Sequence, residues 1–154
     1  MSITVNANEA MTSKGLPFVW PLRVYYEDTD LSGVVYYAHY LRFMERARTE
    51  WLRALGFEMS AMAREHGCHF VVQRAELDYR GPARLDDELL ATVSLLRQGH
   101  ARLVLRQEIA KAPTNQIDEG PLVTGTITLA CITTDTWQPT PMPAALKQSL
   151  EALA

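Results

Sequence analysis

The sequence predicts an α+β domain in which one long helix packs on an antiparallel sheet. Four runs with alternating apolar and polar residues predict strands that bury one face. A length of 154 residues with 47% hydrophobic content suffices for one domain with a core of ordinary size. The long helix is predicted from apolar residues that recur at helical spacing and form one stripe: Tyr40, Phe43, Met44, Ala47, Trp51, Leu52 and Leu55.

The chain divides into a short tail and a single domain. Residues 1–17 are polar and aperiodic, which predicts a flexible N-terminal tail. Residues 18–154 form the domain, without an internal repeat or a linker. Its first strand is predicted at residues 22–27, where Leu22, Val24 and Tyr26 face the same side.

The long helix is predicted to begin between Tyr36 and Ala38. Gly56 suits the C′ position that ends a helix, where a left-handed backbone is common. A helix from Ala38 to residue 55 spans about 27 Å. Off the apolar stripe, Arg46 and Glu50 have the i,i+4 spacing of a weak surface ion pair.

The remaining elements follow in a simple order. A short helical segment is predicted at residues 60–66, and strands at 71–79, 89–95, 101–109 and 123–131. Residues 97–100 are predicted to turn between the second and third of these strands. A polar connection at 112–121 precedes the last strand, and a short helix at 143–154 ends the chain.

Composition excludes several classes of function. A net charge of -3 gives no general attraction to nucleic acid or to an anionic membrane. The chain has no apolar run of membrane-spanning length and no N-terminal secretory pattern. Its two cysteines, Cys68 and Cys131, fit a reduced cytoplasmic compartment. His66, Cys68 and His69 lack the acidic neighbours of a metal site, so we predict an inert buried thiol and neither a metal nor a cofactor.

The junction between the first strand and the long helix is the candidate site for chemistry. Asp30 lies a few residues before a helix start where Val34, Val35 and Tyr36 cannot act as caps. The first-turn N–H groups therefore need another acceptor, and the helix terminus favours a developing negative charge. A carboxylate beside such donors is the minimum for acyl chemistry. Alternatively, Asp28 or Asp30 merely caps the turn, and the residues leave both interpretations open.

One stretch resembles a known family. Residues 24–52, VYYEDTDLSGVVYYAHYLRFMERARTEWL, resemble the hotdog-fold acyl-CoA thioesterases of the 4-hydroxybenzoyl-CoA thioesterase family. They are most similar to the branch associated with the Tol-Pal system, whose pattern is RVYYEDTD, then GVVYHxxY and FxERARxE. The resemblance continues with looser motifs through residues 70–89, FVVQRAELDYRGPARLDDEL.

The resemblance implies an overall fold and an assembly. The expected fold is an antiparallel sheet of about five strands wrapped around one long central helix, with the active site at a dimer interface. The expected reaction is hydrolysis of an acyl-CoA to a free acid and CoA without a cofactor. The expected assembly is a homodimer or homotetramer, with acyl carrier protein as a further candidate partner.

The resemblance also implies roles for individual residues. It assigns the catalytic carboxylate to Asp30 and polarisation of the thioester carbonyl to the backbone N–H of Tyr37. The branch usually has a histidine at the position of Tyr37, whereas this chain has its histidine at His39. From the first helical turn His39 could reach the site, or it could be a surface or interface residue. Tyr26 is a candidate for the pocket wall, with a core or interface role as the alternative, and Gly33 permits the turn.

Charged residues complete the set of candidates. Arg97 and Arg102 flank the predicted hairpin and are candidates to hold the CoA phosphates, a role the family often gives to the partner subunit. The alternative is that they are ordinary surface arginines. Glu45 lies roughly 12 Å beyond Tyr37 along the helix, so a structural ion pair with Arg48 or a neighbouring arginine is predicted instead of catalysis.

Two other functions remain open at this point. One is an acyl-thioester dehydratase of the same fold, which usually needs a histidine paired with an acidic residue. The other is a protein that binds acyl groups or acyl carrier protein without turnover. Release of free thiol separates hydrolysis from both.

Overall fold

The computed structural model describes residues 15–113 and 120–153. Within these residues, five strands form one antiparallel sheet in the order β1-β3-β4-β5-β2. The strands are β1 (Phe18–Arg23), β2 (Cys68–Tyr79), β3 (Glu88–Gln98), β4 (Arg102–Lys111) and β5 (Pro121–Thr133). The α-helices are α1 (His39–Ala54), α2 (Met59–His66) and α3 (Ala144–Glu151). The predicted α+β architecture is confirmed, while residues 1–14 of the predicted tail and residues 114–119 of the predicted connection lie outside the described residues.

Helix α1 packs its apolar stripe on the sheet, where it contacts β1, β3 and β4. Phe43, Met44 and Ala47 are fully buried, which confirms the predicted stripe. Removing the ring of a buried phenylalanine such as Phe43 typically costs about 3–5 kcal/mol. The helix begins at His39 with Ala38 as its N-cap, one residue after the predicted interval. Gly56 has a φ of 92°, as its predicted C′ role requires.

The first strand ends earlier than predicted. β1 ends at Arg23, and the next residue, Val24, donates its N–H to the carbonyl of Asp87 at 2.9 Å. A 3-10 turn then covers Tyr26–Asp28. The prediction of a strand at residues 24–27 is wrong because the Asp28 carboxylate accepts the N–H of Tyr25 and draws the chain into this turn. Tyr26 is 82% exposed and does not share a face with buried Val24.

Strand β2 contains a bulge that changes which residues face the core. Its register with β5 shifts between Val72 and Arg74. Buried Phe70 precedes the bulge, and Val72 and Ala75 line the same groove from either side of it. The prediction that Val71 shares a face with Ala75 is therefore wrong, because a bulge inserts one extra residue and inverts the alternation.

Two further predictions need correction at the level of single contacts. β3 continues through Gln98, so the hairpin turn begins at Gly99, whose N–H donates to the carbonyl of Arg102 at 2.8 Å. The predicted pair of Arg46 with Glu50 is replaced by a hydrogen-bonded ion pair of Glu50 with Arg53. Arg53 is three residues beyond Glu50, which is also a helical neighbour distance.

Candidate active site

The loop between β1 and α1 folds back on itself. Asp28 is only 3% exposed, and its Oδ2 accepts the N–H of Tyr25 at 2.8 Å. Its carbonyl accepts the N–H of Tyr36 at 2.9 Å, and Thr29 forms an antiparallel bridge with Val35. Residues 34–36 are thereby fixed beside residues 28–30, so the acidic turn and the helix start have a defined relative position.

A second loop, residues 80–87, supports this junction from outside. The N–H of Val35 donates to the carbonyl of Ala83 at 2.8 Å, and Val34 forms a bridge with Arg84. The N–H of Ala83 donates in turn to the hydroxyl of Tyr40 at 3.1 Å. Burial raises the pKa of Tyr40, so the side chain that accepts this hydrogen bond is a neutral phenol.

Asp30 lies at the head of a tight turn. Its Oδ1 accepts the N–H of Ser32 at 2.7 Å, and its carbonyl accepts the N–H of Gly33 at 2.9 Å. Gly33 has a φ of 76°, a conformation that glycine adopts without strain. The alternative prediction that Asp30 caps the turn is therefore correct for its Oδ1 atom. Oδ2 has no hydrogen-bond partner among the described residues, and Asp30 is exposed, so the carboxylate keeps one oxygen for a ligand.

The N-terminus of α1 is uncapped, as predicted. No side chain bonds its first-turn N–H groups, and the N-cap residue is Ala38. The N–H groups of Tyr36 and His39 are taken by the carbonyls of Asp28 and Tyr36. Between them, the N–H groups of Tyr37 and Ala38 have no acceptor within the part of the chain that the structure describes. Ala38 is the N-cap and Tyr37 directly precedes it, so both N–H groups lie next to the positive end of the helix dipole, where they can stabilise an oxyanion.

Tyrosines form one wall beside this helix start. The rings of Tyr36 and Tyr37 have centroids 4.8 Å apart, and those of Tyr37 and Tyr79 lie 6.3 Å apart. The Tyr79 hydroxyl donates to the carbonyl of Tyr37 at 2.9 Å. A hydrogen bond with Tyr37 raises the pKa of Tyr36, and the charge of Asp30 raises it further. The sequence did not single out Tyr36 or Tyr79 for this wall. Tyr79 is 42 residues from Tyr37 along the chain, so only the fold brings the two together.

His39 lies in the junction, as the first residue of α1. Its Nδ1 is 3.2 Å from Oδ1 of Asp28, and its side chain is 19% exposed. The ring also meets Tyr36 edge-on, with centroids 5.9 Å apart. His39 therefore connects the helix to the acidic loop, and its contact with a substrate stays a prediction.

Arg97 and Arg102 are not brought near Asp30 within one chain. Glu88, at the start of β3, pairs with Arg23 at the end of β1, which places the acidic loop at that end of the sheet. Arg97 lies nine residues further along β3, about 30 Å away at 3.3 Å per residue. The role predicted for these arginines therefore requires a second protomer. Tyr26, on the exposed 3-10 turn, could contact a ligand only from outside the core.

Glu45 and Arg48 do not form the predicted ion pair. Glu45 accepts a hydrogen bond from Thr49 Oγ1 at 3.2 Å, whereas Arg48 Nη1 donates to Gln107 Oε1 at 2.9 Å. Burial lowers the pKa of Arg48, although the charge of Glu45 acts against this. Both residues line a groove of about 360 Å³ between α1 and β2, together with Leu41, Arg42, Val72, Ala75 and Ile127.

Across residues 15–113 and 120–153, no group of three or more histidine, cysteine, aspartate or glutamate side chains is arranged to hold a metal ion. Among the same residues, no helix has both the length and the apolar character needed to cross a membrane.

The sheet and its long helix, with an acidic loop at the helix N-terminus, define a hotdog domain, as the sequence predicted. Residues 24–150 match the family model of the Thioesterase-like superfamily, and the chain belongs to this family. A crystal structure of a probable thioesterase from Bartonella henselae superposes with a TM-score of 0.75 at 35% sequence identity, covering 82% of this chain and 99% of that chain.

Two sequence relatives agree with this assignment. An acyl-CoA thioesterase named YbgC from Haemophilus influenzae is 36% identical over 136 residues, which cover 88% of this chain and 96% of that protein. An acyl-CoA thioester hydrolase named YbgC from Escherichia coli is 45% identical over 102 residues, which cover 66% of this chain and 75% of that protein. Membership of the predicted thioesterase family is confirmed, and an association with the Tol-Pal system stays a prediction.

Proposed function

We propose that this protein hydrolyses the thioester bond of an acyl-CoA, giving a free acid and CoA. The observation that carries the proposal is the unpartnered N–H of Tyr37 at an uncapped helix N-terminus, in the same junction as the Asp30 carboxylate with its free Oδ2. The names of the two sequence relatives support acyl-CoA as the substrate class.

In the proposed reaction, the thioester carbonyl oxygen accepts a hydrogen bond from the N–H of Tyr37. Negative charge develops on that oxygen as the acyl carbon is attacked, and one such donor lowers the barrier by about 3 kcal/mol, or roughly 100-fold in rate. The carbon–sulfur bond then breaks, and CoA leaves as a thiol after gaining a proton. Water supplies the second oxygen of the free acid.

In this geometry Asp30 can act in either of two chemically distinct roles. As a nucleophile, Oδ2 forms an anhydride with the acyl group, which water then cleaves. As a general base, it takes a proton from the attacking water. Multiple turnovers in ¹⁸O-labelled water separate the routes, because only the nucleophilic route can transfer the label into the Asp30 carboxylate.

The function is tested by thiol release from short-chain, long-chain and aromatic acyl-CoAs. We expect at least one to be cleaved with a kcat/KM above about 10⁴ M⁻¹s⁻¹, the lower part of the usual enzyme range. Loss of water from a 3-hydroxyacyl thioester would instead indicate a dehydratase. Tight binding without thiol release across the panel would indicate a binding protein, and the same acyl groups on acyl carrier protein test that partner.

We further propose a homodimer that forms through strand β2. This 12-residue strand is one edge of the sheet, so its outer backbone groups lack strand partners among the described residues. The other edge, β1, has six residues and contains Pro21, a residue that protects sheet edges. The exposed apolar side chains Val72 and Tyr79 lie on β2, which favours this edge for pairing with a second copy.

A reduced cytoplasm is the compartment that best suits the cysteines. Cys68 and Cys131 lie on the neighbouring strands β2 and β5, and both are buried free thiols. Neighbouring thiols that remain unpaired are typical of proteins kept under reducing conditions.

A further inference from the structure

A cleft lined by three cations lies beside the proposed active site. It has a volume of about 460 Å³ and is lined by Arg80, Arg84 and Lys111, together with Gly81, Pro82, Pro121 and Leu122. None of these lining residues is acidic. We propose that Arg80, Arg84 and Lys111 bind the phosphate groups of CoA, an inference that rests on the proposed acyl-CoA substrate.

Two of the three cations of this cleft have no carboxylate partner in the described part of the chain and are available for an anionic ligand. Arg80 and Arg84 are exposed, and neither has a carboxylate within ion-pair distance among the described residues. Lys111 Nζ forms an ion pair with Asp87 Oδ2 at 3.8 Å. The same Oδ2 also accepts the N–H of Arg84 at 2.8 Å, so this carboxylate is committed to holding the loop. Two guanidinium groups therefore remain for bidentate contacts with phosphate oxygens.

The loop that carries Arg80 and Arg84 is held at both ends by backbone hydrogen bonds. The N–H groups of Arg80 and Gly81 both donate to the carbonyl of Leu122, at 2.7 and 3.2 Å. At the other end of the loop, Asp86 donates to the carbonyl of Val24 at 3.1 Å. A site fixed at both ends loses little conformational entropy when a ligand binds.

The loop at residues 80–87 connects the cleft to the junction between β1 and α1. Arg84 forms a bridge with Val34, which lies between Asp30 and Tyr37 in the chain. Arg80 directly follows Tyr79, whose hydroxyl is bonded to the carbonyl of Tyr37. The phosphates of CoA are separated from its sulfur by the pantetheine arm, so their site must lie close to the junction but outside it. The cleft meets this requirement within a single chain.

The proposal is tested with two substrates that carry the same acyl group. One is the acyl-CoA, and the other is the acyl-N-acetylcysteamine thioester, which has no phosphate. For the double variant Arg80→Ala/Arg84→Ala, we expect the KM for acyl-CoA to rise at least tenfold with kcat within threefold of wild type. Hydrolysis of the N-acetylcysteamine thioester stays unchanged. Calorimetric binding of CoA itself weakens at least tenfold, a readout that does not depend on turnover.

Three further variants complete the experiment. Arg46→Ala/Arg64→Ala removes two exposed cations from α1 and α2 and should leave both substrates unaffected. Arg97→Ala/Arg102→Ala tests the hairpin that the sequence singled out. Lys111→Gln should raise the KM for acyl-CoA less than the Arg80/Arg84 change, because Lys111 already has Asp87 as a partner.

The outcomes separate this proposal from the proposed function. The cleft is not the phosphate site if CoA binds the Arg80/Arg84 variant as tightly as wild type, or if only the hairpin variant loses affinity. An equal loss with both thioesters would indicate a structural role and also overturn the proposal. Failure of the wild-type protein to cleave either thioester would refute the thioesterase function, while the calorimetric comparison would still decide the role of the cleft.

Discussion

Asp28 Oδ1 lies 3.2 Å from Nδ1 of His39, so a buried carboxylate connects the 3-10 turn to the first residue of α1. The other oxygen of Asp28 binds the N–H of Tyr25, and its carbonyl binds the N–H of Tyr36. One aspartate thus holds both ends of the loop that carries Asp30. We regard Asp28 and His39 as positioning residues, because they act on the reaction through the geometry of Asp30 and the Tyr37 N–H.

Replacing Asp28 by alanine should affect both stability and catalysis. The change removes the acceptor for the Tyr25 N–H and the partner of His39, and hydrogen bonds of this kind contribute about 0.5–1.5 kcal/mol each. A displaced Asp30 should lower kcat roughly 10–100-fold with little change in KM. Urea unfolding and steady-state kinetics on the same preparation measure the two effects.

His39→Asn is the matched variant for this contact. Its amide can donate to Asp28, so we expect at least a third of the wild-type kcat to be retained, whereas His39→Leu should behave like Asp28→Ala. If His39→Asn were as damaged as His39→Leu, the imidazole itself would act in the reaction, and the positioning role would be wrong.

Asp30→Asn should abolish most activity without unfolding the protein. The amide oxygen of asparagine can still accept the N–H of Ser32, so the turn at Gly33 is preserved. Loss of the carboxylate should lower kcat at least ~100-fold, as expected for a lost nucleophile or general base. Glu27→Gln, an exposed neighbour on the 3-10 turn, should remain near wild type. Substantial hydrolysis by Asp30→Asn, on a substrate that the wild type accepts, would remove Asp30 from the mechanism.

Val72→Glu should separate the proposed dimer. Val72 is 50% exposed and lies on the β2 edge, where a carboxylate would have to be buried against the second copy. Light scattering coupled to gel filtration should show the mass falling from dimer to monomer. Leu96→Glu is the matched control, because Leu96 is 57% exposed on β3, which lies on the opposite side of the sheet from β2. An unchanged dimer mass for Val72→Glu would argue against pairing through β2.

The stability of the protein should fall in alkaline solution because of Cys131. Burial, together with nearby Cys68, raises the pKa of Cys131 to about 12. In the unfolded chain the thiol titrates near its usual value of about 8.5. Between these values the unfolded state releases a proton that the folded state keeps, so the free energy of unfolding decreases as pH rises.

The measurement compares wild type with Cys131→Ala between pH 8 and pH 10. The slope of unfolding free energy against pH should be steeper for wild type by up to about 1.4 kcal/mol per pH unit, the value for one proton. Tyrosines that titrate in the same range contribute to both proteins. Parallel slopes would show that Cys131 is not protected from ionisation in the folded state.

Local sequence was sufficient for the features that depend on neighbours in the chain. The stripe from Tyr40 to Leu52 follows from helical periodicity, and the uncapped helix start follows from the absence of a capping side chain before His39. The turn at Asp30 and Gly33 is local for the same reason. The assignment of Asp30 and Tyr37 to catalysis came from the family resemblance, and it stays a prediction.

Two features of the strands could not be predicted from the spacing of residue types along the chain. The early end of β1 depends on one hydrogen bond between Asp28 and Tyr25, and the bulge in β2 depends on pairing with β5. The extra residue of a bulge leaves no recognisable pattern in the sequence. The sequence shows the alternation of side chains, whereas the register of a strand is set by backbone hydrogen bonds to its neighbour.

By itself, the sequence determined the type of fold, the core face of α1 and the acidic loop before it, because all three depend on short-range spacing. Only the tertiary structure decided which groups surround that loop. It brought Tyr79 to the carbonyl of Tyr37, buried Asp28 against His39, and placed Arg80 and Arg84 beside the junction while Arg97 went to the far end of the sheet. These neighbours come from distant parts of the chain, and strand order and register fix their distances.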